Sequence, residues 1–297
     1  MSIKSVVLLG ADGKIGPAIY SALKDSGFDI TVLKRKSSKS TTKYPKEVTV
    51  SDEFEVEELV EVLKGHDAVI VTPRGTELGK RIADAAVRAG IKRFIPADFG
   101  SVDSSSELTQ ELVPLYRQKS ALRHYLIELA EKHPTFTWTS VVSGHFFDWS
   151  VEFLHLWFKE RKADILDDGN VKWSASSVAQ IGLATARILE RPEVTKNRMI
   201  YIQSFCVSQN EVLASFEKAT GTKWEVNRLD SKQYQEERVA KRDAGDAQAI
   251  EDLVWLLGAI DADWTGRKDF AMNDLGLENE DLDEVVRKTV ERLEQEG

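Results

Sequence analysis

The stretch VVLLGADGKIGPAIYSAL, residues 6–23, decides the fold. An apolar run from Val6 to Leu9 stops at Gly10, Gly13 and Gly16 follow at three-residue steps, and an apolar pattern with helical spacing then begins. Strand, glycine turn and helix start, in that order, form the layout that receives a dinucleotide pyrophosphate. Gly10 lets the chain turn sharply, Gly13 lets the backbone approach phosphate closely, and Gly16 lets the helix pack tightly on the strand. Pro17 suits a first helical turn, where its missing N–H costs nothing. The free N–H groups of that turn and the helix dipole favour an anion. Gly10, Asp12, Gly13, Lys14 and Ile15 are therefore expected to hold the cofactor.

Working outward, short apolar runs alternate with helical patterns. Strands are predicted at Ser5–Leu9, Ile30–Leu33, Glu47–Val50, Ala68–Val71, Phe94–Pro96 and Thr137–Val142. Helices are predicted at Ile15–Asp25, Phe54–Leu63, Thr76–Ala89 and Leu112–Lys132. This alternation implies an α/β fold, a doubly wound parallel sheet covered on both faces. Further on, Asp148–Arg161 reads as a helix rich in aromatics, Ser177–Leu189 as a helix and Met199–Val207 as a strand. Ser208–Gly221 reads as a helix with a capping box of Ser208 and Glu211. The charged tail to Gly297 reads as helical. The expected division is a dinucleotide-binding domain over 1–150, to which 177–207 returns. A smaller, mostly helical lobe over 151–176 and 208–297 would cover the substrate.

Of the 297 residues, 49 are acidic and 40 basic, a net charge of −9 without a basic tail, which points away from nucleic acid. The single cysteine, Cys206, excludes an intramolecular disulfide and a cysteine-rich metal site and fits a reducing compartment. His124 and His133, nine apart, suggest no metal site. No stretch approaches the roughly 20 apolar residues of a membrane span. The apolar run at the start is too short for a signal peptide, so a cytoplasmic monomer or homodimer is expected.

Three further segments carry candidate chemistry. The second strand ends in Lys34, Arg35 and Lys36, followed by Ser37 and Ser38, where an NAD-specific fold places an acid. Cations and hydroxyls suit a 2′-phosphate, so NADP(H) is the expected cofactor, with Arg35 and Lys36 as its ligands. In the helix LVPLYRQKSALRHYLIELAEK, Lys119 shares an apolar stripe with Leu115, Leu122 and Leu126. Arg117, His124, Glu128 and Glu131 form the opposite face. Either the lysine stem packs while its ammonium reaches water, which the pattern alone favours, or the amine points into a partly dry active site. Tyr116 lies three residues before it, a spacing expected to turn the phenol away. The third segment is VVSGHFFDW, 141–149, just beyond the sixth strand. Ligands of open parallel sheets sit outside the strands' carboxyl ends. Ser143 and Phe146 are therefore assigned to the cofactor, as are Thr72 and Pro73 after the fourth strand. Phe99, His145, Phe147 and Trp149 are assigned to the substrate.

Together these segments resemble the NmrA-like and isoflavone-reductase-like branch of the atypical short-chain dehydrogenases. The glycine motif, LKRKS after the second strand, RFIPADFG at 93–100, YRQKSALRHYL at 116–126, SGHFFDW at 143–149 and VSQNEVLASFEKATGTKW carry the resemblance. In RFIPADFG, Ala97 and Asp98 stand where the family has a small residue and a glutamate. The resemblance implies a Rossmann-like fold and places Lys119 in the position of the reductases' catalytic lysine, which gives it a catalytic or cofactor-holding role. It implies an NADPH-dependent reductase of an apolar, aromatic carbonyl or conjugated double bond. Its alternative is an NADP(H)-binding, redox-sensing regulator acting through a protein partner. HFFDW is closer to fungal NmrA-like oxidoreductases than to the plant enzymes.

Overall fold

The computed structural model describes residues 2–296. The first half runs β1 Ser5–Leu9, α1 Gly16–Asp25, β2 Asp29–Arg35, β3 Glu47–Val50, α2 Val56–Leu63, β4 Ala68–Val71, α3 Thr76–Ala89, β5 Arg93–Ile95, α4 Glu107–Leu112, α5 Pro114–Lys132 and β6 Thr137–Val142. The second runs β7 His145–Phe146, β8 Leu156–Trp157, β9 Lys162–Leu166, β10 Lys172–Ser176, α6 Val178–Glu190, β11 Arg198–Tyr201, β12 Phe205–Ser208, α7 Gln209–Thr220, β13 Glu225–Leu229, α8 Ser231–Asp243, α9 Ala247–Ile260, α10 Met272–Leu275 and α11 Leu282–Glu296.

Seven strands form one parallel sheet in the order β11-β6-β5-β4-β1-β2-β3. The direction of winding reverses between β1 and β4, which opens a crevice at their carboxyl ends. The run VVLL shows no polar alternation because β1 is buried on both faces. Val6 and Leu8 join Ile19 and Leu23 of α1 and Ile181 and Ile188 of α6. Val7 and Leu9 join Leu59 of α2, Ile82 of α3 and Leu122 and Leu126 of α5. A third apolar cluster, around Phe147, Phe205, Phe216, Trp255 and Trp264, forms the core of the remaining chain.

Two predicted elements are corrected. Asp148–Arg161 is not a helix: it holds one 3-10 turn, Glu152–Leu154, and strand β8, with His155 and Arg161 in left-handed conformations (φ +58° and +55°) that interrupt helical winding. Met199–Val207 is two strands. The chain leaves the large sheet after Tyr201 and enters a second sheet, β12-β10-β7, at Phe205. A third sheet, β13-β9-β8, completes the outer part, which is thus helical with two small sheets. The capping box of α7 forms as predicted, Ser208 Oγ accepting from Glu211 N–H while the Glu211 carboxylate accepts from Ser208 N–H.

Candidate active site

The glycine turn is built from the sheet outward. Gly10 has φ +88°, and a Cβ there would stand 2.2 Å from Thr72 Oγ1. That hydroxyl donates to the carbonyls of Leu9 and Gly10 at 3.1 Å, tying the turn after β1 to the turn after β4. Gly16 lies so close to the turn that a Cβ would sit 2.2 Å from the Gly10 carbonyl. Helix α1 begins with Ile15 at its N-cap, a residue with no side-chain acceptor, and with Pro17 in its first turn. The first-turn N–H groups beside exposed Gly13 and Lys14 thus have no side-chain cap, which is the arrangement a pyrophosphate fills.

The basic segment after β2 is divided in use. Lys34 Nζ lies 3.6 Å from the carboxylate of Asp12 and 3.2 Å from that of Glu47. Asp12 also accepts from Tyr44 Oη at 2.7 Å, so its side chain is occupied by the β2–β3 loop. Lys36 approaches Glu58 at 3.7 Å. Arg35 is exposed and, among the described residues, forms no ion pair.

A cleft lies between the carboxyl ends of β4 and β5 and the facing ends of α3 and α5. Val71, Pro96, Ala97, Leu115 and Leu122 make it largely apolar, and Arg74, Asp98, Lys119, Arg123 and Ser140 supply its polar groups. Lys119 does not snorkel: its side chain is 11 % exposed, and Nζ donates to the Asp98 carbonyl and lies 3.7 Å from Asp98 Oδ1. The two faces of α5 explain this. Arg117, His124, Glu128 and Glu131 take the solvent face as predicted. The buried stripe, Tyr116, Ser120, Leu122, Arg123, Leu126 and Leu129, turns the lysine inward beside it. Burial lowers the amine's pKa below the usual lysine value, Asp98 opposes the shift, and Arg74 and Arg123 add to it. Tyr116 is not turned away either. Its ring centre is 5.5 Å from Lys119 Nζ, as residues three apart on a helix are neighbours.

The segment after β6 is placed differently from expectation. Ser143 is fully buried, its N–H donating to the Gly100 carbonyl at 3.0 Å, and Phe146 is half-buried against the α1–α6 layer. His145 does not line the cleft: it is buried under α9, edge-on to Phe153 and Trp173, with Nε2 3.4 Å from the Trp255 carbonyl. A Cβ at Gly258 would strike its ring at 1.9 Å, which explains the glycine in α9. Burial pushes its pKa down to about 4, so the ring is neutral at pH 7 and is no proton donor there. Phe147 is a core residue against Phe205 and Phe216, and Phe99 is buried in the α1–α6 layer. Trp149 is exposed and lies against Lys14. Asp98, Arg74 and Arg123 were not foreseen in the site. Asp98 had a readable signal, a charged residue three positions past an apolar strand that ends at the crevice.

A seven-stranded sheet of this order, with a glycine turn at its switch point and a buried amine beside it, defines a doubly wound, Rossmann-like protein. The sequence profile of the NmrA-like family matches residues 2–264, and the chain belongs to that family. It is similar to the oxidoreductase aprR of Aspergillus flavus, 35 % identical over 96 % of this chain and 98 % of the relative. Among solved structures it resembles one of a set of pinoresinol-lariciresinol and phenylcoumaran benzylic ether reductases, with TM-score 0.79, 22 % identity and coverage of 96 % and 99 %. A leucoanthocyanidin reductase–NADPH complex from Vitis vinifera superposes with TM-score 0.77, 19 % identity and coverage of 96 % and 99 %. The chain is thus an oxidoreductase of the isoflavone-reductase-like kind. No helix of the described residues is long and apolar enough to cross a membrane.

Proposed function

We propose that the protein is an NADPH-dependent reductase of apolar, aromatic small molecules bearing a carbonyl or conjugated double bond. The observation that carries this reading is the Lys119 ammonium, buried in a largely apolar cleft beside the switch point of the sheet. The NADPH held by the leucoanthocyanidin reductase and the aromatic compounds that name the similar plant reductases support the same choice.

The residues present fit the dinucleotide. The glycine turn from Gly10 to Ile15 and the uncapped first turn of α1 behind it take the pyrophosphate; Arg35 and Lys36 take the 2′-phosphate; Thr72 and Pro73 close the turn between β1 and β4. Ser143 and Phe146 back the nicotinamide side, and Trp149 flanks the substrate. NADPH, when bound, supplies the hydride. Lys119 Nζ would give a proton to the acceptor's carbonyl oxygen and be left as a neutral amine. The burial that lowers the amine's pKa eases this transfer. For a conjugated double bond the same ammonium polarises the carbonyl.

The test is NADPH consumption with a panel of aromatic aldehydes, ketones and enones, followed by absorbance, beside NADPH binding measured by fluorescence. Steady consumption with at least one class is expected. Normal NADPH binding with no consumption across the panel would sink the reading.

A further inference from the structure

Asp98 divides its oxygens between two tasks. Its Oδ2 accepts from Arg123 Nη1 at 3.2 Å and from Ser140 Oγ. Its Oδ1 is buried and accepts no hydrogen bond, yet lies 3.7 Å from Lys119 Nζ. Its backbone carbonyl accepts the hydrogen bond from the same amine. An ammonium has three N–H groups. One goes to the Asp98 carbonyl and one faces Oδ1 at a distance too long for a hydrogen bond, and the third has no acceptor among the described residues. Arg123 is itself anchored to Ser104 and Ser105 at 2.8 and 2.9 Å, so the Oδ2 side is held from behind.

We propose that Asp98 is the positioning residue of the site: its carbonyl fixes the Lys119 amine at the cleft, and Oδ1 keeps that amine charged until a substrate oxygen takes the proton. The proposal rests on the reductase reading above. The groups facing Lys119 are Asp98 after β5, Arg74 after β4, and Tyr116 and Arg123 on its own helix. Burial and the two arginines work against the ammonium, and Asp98 is the carboxylate that opposes them. A neutral residue at 98 leaves a buried cation uncompensated, and such a group gives up its proton.

The experiment is competitive acetylation of the full-length chain with acetic anhydride across pH, reading Lys119 by peptide mass spectrometry. Asp98→Asn keeps the carbonyl and removes the charge, and Lys119 should then titrate about one pH unit or more lower. Arg123→Met should act with the opposite sign, because it frees Asp98 from a competing cation, and Asp98→Glu should restore the wild-type titration. The alkaline limb of the kcat profile should move with the amine in each variant, while KM and the NADPH Kd stay put. An unchanged Lys119 titration in Asp98→Asn overturns the proposal. If that variant does not fold, a downward or absent shift in Arg123→Met overturns it instead. A shifted titration with a kcat profile that ignores it leaves the Asp98–Lys119 coupling standing and removes the reductase role of the lysine.

Discussion

Lys14 Nζ lies 3.3 Å from the centre of the Trp149 indole. The lysine belongs to the glycine turn after β1 and the tryptophan follows β7, so this contact joins two segments at the carboxyl side of the large sheet. Burial, with Arg74 adding to it and Glu251 opposing, lowers the Lys14 pKa, so the indole face offers the cation a partner where charge is costly. Lys14 is assigned to the cofactor, so the contact is expected to restrict the dinucleotide's entry. Trp149→Ala removes a cation–π interaction worth about 0.5–1 kcal/mol at an exposed site, and NADPH association should become about two- to fivefold faster. Stopped-flow fluorescence measures this directly, and a slower association would show that the indole guides the cofactor instead.

Among the described residues Arg35 forms no ion pair, whereas Lys34 is shared by Asp12 and Glu47. A charge-assisted contact to phosphate is worth about 1.5–3 kcal/mol, so Arg35→Ala should weaken NADPH at least about tenfold and leave NADH nearly unchanged. Equal affinities of the wild type for the two cofactors would remove the 2′-phosphate assignment.

Asp67 links the start of β1 to the start of β5. Its carboxylate accepts from the N–H groups of Lys4 and Ser5 at 2.9 and 3.1 Å and from Lys92 Nζ at 2.7 Å. Burial opposes its ionisation, but Lys92 and the two N–H groups outweigh that and hold the pKa at about 2, below the ordinary 3.8. A depressed carboxyl pKa gives stability that is fully present above the unfolded value and is lost as pH falls through the folded one. The contribution is at most about 2 kcal/mol. Urea unfolding of wild type and Asp67→Asn should therefore differ most at neutral pH and converge between about pH 4 and 2. A difference that does not change with pH would assign the effect to packing alone.

Much of this fold was legible because burial on both faces leaves a simple record. Glu47–Val50, Ala68–Val71, Thr76–Ala89 and Thr137–Val142 appear in the structure with the predicted limits. The outer part was harder for physical reasons. Apolar residues at Val151, Leu154 and Phe158 mimic a helical face, yet His155 and Arg161 take left-handed conformations that no periodicity reveals. Strand β13 is exposed or half-buried throughout, so it shows no alternation to read. Gln203 and Ser204 interrupt an apolar run at the point where the chain changes sheets. In the site, Lys119 was visible as an anomaly in an apolar stripe, but its partner was not. Asp98 lies 21 residues away and meets it only through the packing of α5 on the sheet. His145 and Phe147 were misplaced because an aromatic segment past a strand end can face the crevice or the core, and α9, distant in sequence, decides which.

The most direct measurement is the turnover of Lys119→Met with an aromatic carbonyl or enone accepted by the wild type, beside its NADPH affinity. Methionine keeps the bulk of the stem and removes the amine. Turnover should fall by roughly 10²–10⁴-fold, the range of a lost general acid, with NADPH binding changed only a few-fold. Unimpaired turnover in Lys119→Met would contradict the account.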